Sequence, residues 1–145
     1  MIGLLQRVSQ ARIEVDQHPI AAIGTGLAVL IGIEKSDTEA KANRLLERLL
    51  GYRVFPDNEG KMNLSLTDIG GELLLIPQFT LPAETKKGMR PGFSAAAPPE
   101  SGQQLFGYLL QQAKIKYEKV QSGQFGADMK VTLTNDGPVT FWLQT

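Results

Sequence analysis

The sequence predicts a single α/β (α+β) domain over residues 1–145, with a mostly antiparallel sheet bent toward a barrel and two main helices. Three observations carry that expectation. Apolar residues recur with a period of two, or in short continuous runs, along most of the chain. Only two well-separated segments switch to helical spacing. A chain of 145 residues that is 42% hydrophobic and 21% charged can bury one continuous core, and no stretch has the composition of a linker or a disordered tail.

Taken in order, residues 2–8 and 11–16 read as two strands, since Ile13 and Val15 alternate with Arg12, Glu14 and Asp16 and so bury one face. A turn at Gln17, His18 and Pro19 leads to a short partner near residues 20–23. Gly26 to Ile33 is almost continuously apolar, which suits a central strand covered on both faces. Ser36 and Glu39 have capping-box spacing, and Ala42, Leu45, Leu46, Leu49 and Leu50 follow at helical intervals, so a helix is expected there. Pro56, Asp57, Asn58 and Gly60 make a turn. Glu72 to Leu81 reads as a second apolar strand, running into a long Pro/Gly/Lys loop that ends near Pro99. The second helix starts at Pro98 or Pro99 and turns Leu105, Phe106, Leu109, Leu110 and Ala113 inward. Strands near 117–121, 129–134 and 138–143 complete the pattern.

Composition removes several kinds of chemistry. Lys plus Arg equals Asp plus Glu at 15 each, so no global field drives sequence-blind binding to a nucleic-acid backbone. A protein that grips only one end of an RNA needs a few local cations, and two clusters exist: Lys86, Lys87 and Arg90, then Lys114, Lys116 and Lys119. Taken alone, either cluster reads first as a solvated face, since most charge runs are only that. With no cysteine there is no disulfide, thiolate metal site or cysteine nucleophile. No segment approaches the ~18 apolar residues of a membrane span, and a soluble, cytoplasmic protein is expected. The sole histidine, His18, stands beside Pro19 in a turn, a poor place for a general base. Zinc-ligand spacing, a GxxxxGK[ST] loop and a GxGxxG after a strand are all missing, so neither metal nor cofactor is expected. An enzyme of this composition works by positioning, by backbone amides, or through a group on its substrate.

Three segments stand out. Pro77-Gln78-Phe79-Thr80 closes an apolar strand, where exposed N–H groups can stabilise an oxyanion; it also reads simply as a strand running into a loop. Gly123–Met129, GQFGADM, brackets Phe125 with glycines, or is a hairpin connection. Asn135-Asp136-Gly137-Pro138-Val139-Thr140 reads as a hairpin turn in which a Gly-Pro bond can be cis at modest cost, about 0.5–1 kcal/mol.

Taken together with LLQRVSQARIEVD near the start, GKMNLSL at 60–66, GGELLLIPQFTL at 70–81, KKGMRPGFSAAAPPE at 86–100 and FGADMKVTLTNDGPVT at 125–140, these segments resemble the D-aminoacyl-tRNA deacylase (D-tyrosyl-tRNA deacylase) family over essentially the whole chain. The resemblance implies a homodimer with tRNA as its partner. It implies hydrolysis of the ester of D-aminoacyl-tRNA, and of glycine mischarged on tRNA-Ala. Gln78, Phe79 and Thr80 become the catalytic segment, and Phe125, Met129, Gly137 and Pro138 the substrate-binding and chiral-selecting residues. Each site would pair Gln78-Phe79-Thr80 of one subunit with a cis Gly137-Pro138 of the other, whose carbonyls fill the space an L side chain needs. Exclusion of this kind discriminates more sharply than an apolar fit. Phe79 and Met129 would lie near the terminal adenosine, and Lys86, Lys87 and Arg90 would contact phosphates.

The chain departs from the family pattern in one place, with Pro77 where serine is usual. No hydroxyl or N–H is available there, so a serine nucleophile at this position is ruled out. Thr80 then serves to hydrogen-bond or position water, the amides of Phe79 and Thr80 hold the oxyanion, and the ribose 2′-hydroxyl helps orient the attacking water. Two other readings stay open: a module that binds the tRNA acceptor end without cleaving it, its site impaired by Pro77, and an enzyme whose preference has shifted toward glycine or a misacylated L-amino acid.

Overall fold

A computed structural model describes residues 1–145. Its organising element is β1 (Ile2–Val15), long enough to take two partners in succession along one edge. The first half of β1 pairs antiparallel with β3 (Gly26–Gly32), and the second half with β2 (His18–Ile23). Along its other edge β1 meets β8 (Met129–Gln144), again antiparallel. The sheet continues from β3 by parallel pairing to β6 (Glu72–Pro77), and from β6 to β7 (Val120–Ser122). It is thus antiparallel around β1 and parallel beyond β3. Its curl carries β2 against β6 and β7, giving a nearly closed barrel.

Parallel neighbours need crossover connections, and the helices supply them. α1 (Glu39–Gly51) lies between β3 and β6 in the chain, and α3 (Pro99–Lys116) between β6 and β7. Leu45, Leu46 and Leu49 of α1, with Phe106, Leu109 and Ala113 of α3, bury one face of the sheet through Leu27, Val29, Ile31, Leu73 and Leu75. On the opposite face Ala28, Leu74 and Ile76 pack with Val8, Ala11, Ile13, Ala21 and Ile23. Both faces of β3 and β6 are covered, as their unbroken apolar runs imply. No helix is long and apolar enough to cross a membrane.

Several boundaries differ from the sequence-based expectation, each for a local reason. Residues 2–8 and 11–16 form one strand, because the polar residues between them keep pairing with β8 through register shifts at Gln6/Val8 and Val8/Gln10. The turn expected at Gln17-His18-Pro19 lies earlier: Asp16 and Gln17 take positive φ (49° and 66°), and His18 already belongs to β2. Thr38, not Ser36, caps α1, accepting from Lys41 N at 3.4 Å. The strand expected over 72–81 stops at Pro77. A short hairpin, β4 (Phe55–Pro56) with β5 (Met62–Leu64), and the single turn α2 (Leu66–Ile69) had no periodic signal long enough to find. The two terminal strands expected at 129–134 and 138–143 are one, and Asn135–Thr140 is no hairpin turn. Nor is Gly123–Met129 a hairpin connection, since β7 pairs with β6 and β8 with β1.

Candidate active site

β6 delivers its C-terminal end rigidly: Gln78 N donates to Ile31 O at 2.8 Å as the last bond to β3. On the β7 side the ladder stops with Gly123 N to Leu75 O at 2.9 Å. Pro77 has no N–H to extend it, and its ring lies against Gly123, 3.3 Å from where a Cβ would stand. The chain then turns, with Leu81 N and Ala83 N donating back to the carbonyls of Gln78 and Thr80. The amides of Phe79 and Thr80 donate to nothing within the protein. Two adjacent N–H groups are therefore free at the end of a fixed strand, which is the arrangement an oxyanion needs. Gln78 Nε2 donates to Thr80 Oγ1 at 2.6 Å, which leaves the threonine proton available to an outside acceptor.

Two cavities open beside these amides. One, of about 540 Å³, is walled by Phe79, Phe93, Phe125 and Pro77. Phe79 is 65% exposed, and its ring sits 5.6 Å from that of Phe93. Phe125 is backed by the buried Phe106 at 6.3 Å. The smaller cavity, about 220 Å³, runs past Gln78 to Met129 and Val131. Gln78, Phe79, Thr80, Phe125 and Met129 are thus brought together, and none of them is an acid or a base. His18 is exposed at the β1–β2 turn, its Nδ1 2.7 Å from Asp16 O. No cluster of three or more His, Asp or Glu is placed to hold a metal. The resolved pKa shifts lie elsewhere: hydrogen bonds hold the Asp57 and Asp68 carboxyls low, while burial and then Glu72 push the Tyr117 hydroxyl up.

Lys86, Lys87 and Arg90 sit on an exposed loop closed by Glu84 and Gly92, which exchange both backbone hydrogen bonds. None of the three cations pairs with an acid. The loop returns to the aromatic cavity at Phe93.

Gly137 and Pro138 do not join this group within one chain. While β1 advances from Gln6 to Val8, β8 runs from Thr140 back to Asn135, so residues 136–139 leave the ladder as an elbow. The Gly137-Pro138 peptide is cis, and Gly137 has φ +130°. Asn135 closes the base of the elbow, with Nδ2 donating to Thr140 Oγ1 at 2.7 Å and Oδ1 accepting from Val139 N at 3.0 Å. Arg7, nearly buried, braces it by donating from Nε to Asp136 O at 3.0 Å and from Nη1 to Val54 O at 2.7 Å. By register Arg7 beneath the elbow pairs with Leu27 and Leu27 with Leu73, so the elbow and Phe79 are three strands and six residues apart, roughly 25 Å at the usual strand spacing and rise. Sequence reasoning missed Phe93, Arg7 and Lys35 as site neighbours. An aromatic within a Gly/Pro/Lys loop was the available signal for Phe93.

Residues 4–144 match the family model described as D-Tyr-tRNA(Tyr) deacylase. The chain is 61% identical over 144 residues to a D-aminoacyl-tRNA deacylase of Pseudomonas putida, covering 99% of each. It is 61% identical over 145 residues to one of Pseudomonas syringae pv. syringae, covering 100% of each. Among solved structures it is similar to the c-Myc DNA unwinding element binding protein, with a TM-score of 0.95 at 38% identity over 100% of this chain and 99% of that one. A match of this extent in sequence and fold makes the chain a member of the D-Tyr-tRNA(Tyr) deacylase family and an enzyme of that family.

Proposed function

We propose that this protein hydrolyses the ester of D-aminoacyl-tRNA to a D-amino acid and tRNA, as a homodimer in the cytoplasm. The observation that carries the reading is the pair of unpaired amides at Phe79 and Thr80, opening onto an aromatic cavity that suits a terminal adenosine. The amides hold the oxyanion, Thr80 Oγ1 orients water, and the ribose 2′-hydroxyl assists because the protein offers no base there. Gly137-Pro138 of the second subunit faces the α-carbon and excludes an L side chain. The same exclusion spares glycine, so glycine mischarged on tRNA-Ala is a substrate as well. Lys86, Lys87 and Arg90 steer the acceptor end.

Two features support the dimer. β8 exposes a sixteen-residue edge whose only partner is β1, and exposed edges of that length are normally covered. Trp142 (51% exposed) and Val131, both on β8, add exposed apolar surface to that strand. The test is to incubate the protein with D-tyrosyl-, glycyl- and L-tyrosyl-tRNA and follow loss of ester. Hydrolysis of the first two and not the third is expected. Binding without hydrolysis would instead establish the non-catalytic module impaired by Pro77, and cleavage of the L-ester would establish relaxed chirality. A 2′-deoxy terminal ribose is expected to slow single-turnover cleavage of the D-ester, and an unchanged rate removes the 2′-hydroxyl from the mechanism.

A further inference from the structure

Next to the aromatic cavity lies a second cleft of about 520 Å³, between residues 33–39 and the first half of α3. Lys35, Ala97 and Pro98 line both, so the two adjoin across a shared wall as halves of one trough. Their chemistry differs. The first is aromatic, while the second presents Glu39, Ser101, Gln104 and Tyr108. The dividing wall is fixed by backbone bonds, Lys35 N to Ala95 O at 3.1 Å and Ala97 N to Ile33 O at 2.9 Å.

The charges in the cleft are also sorted. Asp37 is fully committed, accepting from the Met1 ammonium, from Glu34 N at 2.7 Å and from Lys41 Nζ at 3.2 Å. Glu34 accepts from the same ammonium at 3.3 Å and from Gln144 Nε2 at 3.1 Å. Glu39 and Lys35 are exposed and form no ion pair. The trough therefore offers one free cation at its waist and one free carboxylate beyond it.

We propose that the second cleft seats the nucleotide preceding the terminal adenosine, a cytidine in tRNA, and that Lys35 holds the phosphodiester joining the two. This rests on the deacylase reading, since it assumes the adenosine lies against Phe79 and Phe93. With the adenosine there, the linking phosphate must cross the shared wall, where Lys35 is the one cation. The cytosine then meets a matching edge: its N4 amino group donates to the Glu39 carboxylate, and its N3 and O2 accept from Gln104 and the Ser101 or Tyr108 hydroxyl. Asn43 steadies Tyr108, donating from Nδ2 to its hydroxyl at 2.8 Å.

The test compares kcat/KM for three D-tyrosyl esters: adenosine, cytidylyl-(3′,5′)-adenosine and guanylyl-(3′,5′)-adenosine, alongside D-tyrosyl-tRNA. For the unaltered protein the cytidylyl group is expected to raise kcat/KM about tenfold over adenosine, the scale of one charge-assisted bond with base contacts, and the guanylyl group by much less. In Lys35→Ala and Gln104→Ala that gain is expected to shrink to ~3-fold or less, with thermal melting in the normal range because both side chains are exposed. Cleavage of D-tyrosyl-tRNA with no cytidylyl gain, or an equal gain in both variants, overturns the subsite and leaves the deacylase reading standing. Failure to cleave any ester, the tRNA included, overturns both.

Discussion

Phe79 is the residue where exposure and role conflict most openly. A large aromatic side chain that is 65% exposed at a strand end contributes little to the core, yet it stands against Phe93 and over the larger cavity. Base stacking on such a ring is worth ~1–3 kcal/mol. Phe79→Ala is therefore expected to raise KM for D-tyrosyl-tRNA by roughly tenfold or more. Its melting temperature should stay within a degree or two, as solvent already surrounds the ring. A large loss of stability, read by thermal melting, would make Phe79 a packing residue instead. That Gln78, Phe79, Thr80, Phe125 and Met129 gather around the end of β6 was legible because they lie in short distinctive segments. Phe93 and Lys35 were not, since they reach the trough from loops whose path is set by tertiary bonds at Glu84–Gly92 and Lys35–Ala95. No local period encodes such bonds.

At the scale of elements, strands and helices with a long apolar period could be read, and short ones held by side-chain bonds could not. β3, α1, β6 and α3 are legible from unbroken or 3.6-residue patterns. α2 depends instead on a capping box: Asp68 N donates to Ser65 Oγ at 3.2 Å and Ser65 N to Asp68 Oδ2 at 2.8 Å. The Ser65 hydroxyl, buried here, also donates to Asp68 Oδ2 at 2.6 Å. Ser65→Ala is expected to cost about 1 kcal/mol and to lower Tm by ~3 °C. Its pH dependence follows from Asp68, whose carboxyl is held below its usual 3.8 first by the Ser65 side chain and then by the Ser65 amide. A depressed carboxyl contributes stability that is fully present above the unfolded value and lost as pH falls through the folded one. Melting curves should thus separate wild type from Ser65→Ala fully above pH 3.8 and draw together below it, leaving the part that the Asp68 N to Ser65 Oγ bond supplies at any pH. A difference that persists unchanged into stronger acid would show that the hydroxyl acts without the carboxylate.

For the whole molecule, strand register sets the elbow three strands and six residues from Phe79, roughly 25 Å along the sheet at the usual spacing and rise. In the proposed two-fold dimer the elbow of each subunit would stand against the amides of the other, which would make every site a shared one. The expected outcome, at substrate well below KM, is complementation between two variants that are each impaired for different reasons. Phe79→Ala damages the adenosine side. Gly137→Ala damages the elbow, because Gly137 has φ +130° and an added Cβ would stand 2.7 Å from Val139 Cγ2 and 3.0 Å from Arg7 Nη2. In a mixed dimer both lesions fall in one site and the other site is intact. Unfolding and refolding the two together in equal amounts makes half the dimers mixed, so about a quarter of wild-type deacylation of D-tyrosyl-tRNA should return. The separately refolded controls should each stay at about a tenth of wild-type activity or less. If the mixture gains nothing, while circular dichroism shows both variants folded and cross-linking shows mixed dimers, then each chain completes its own site and the shared elbow is wrong.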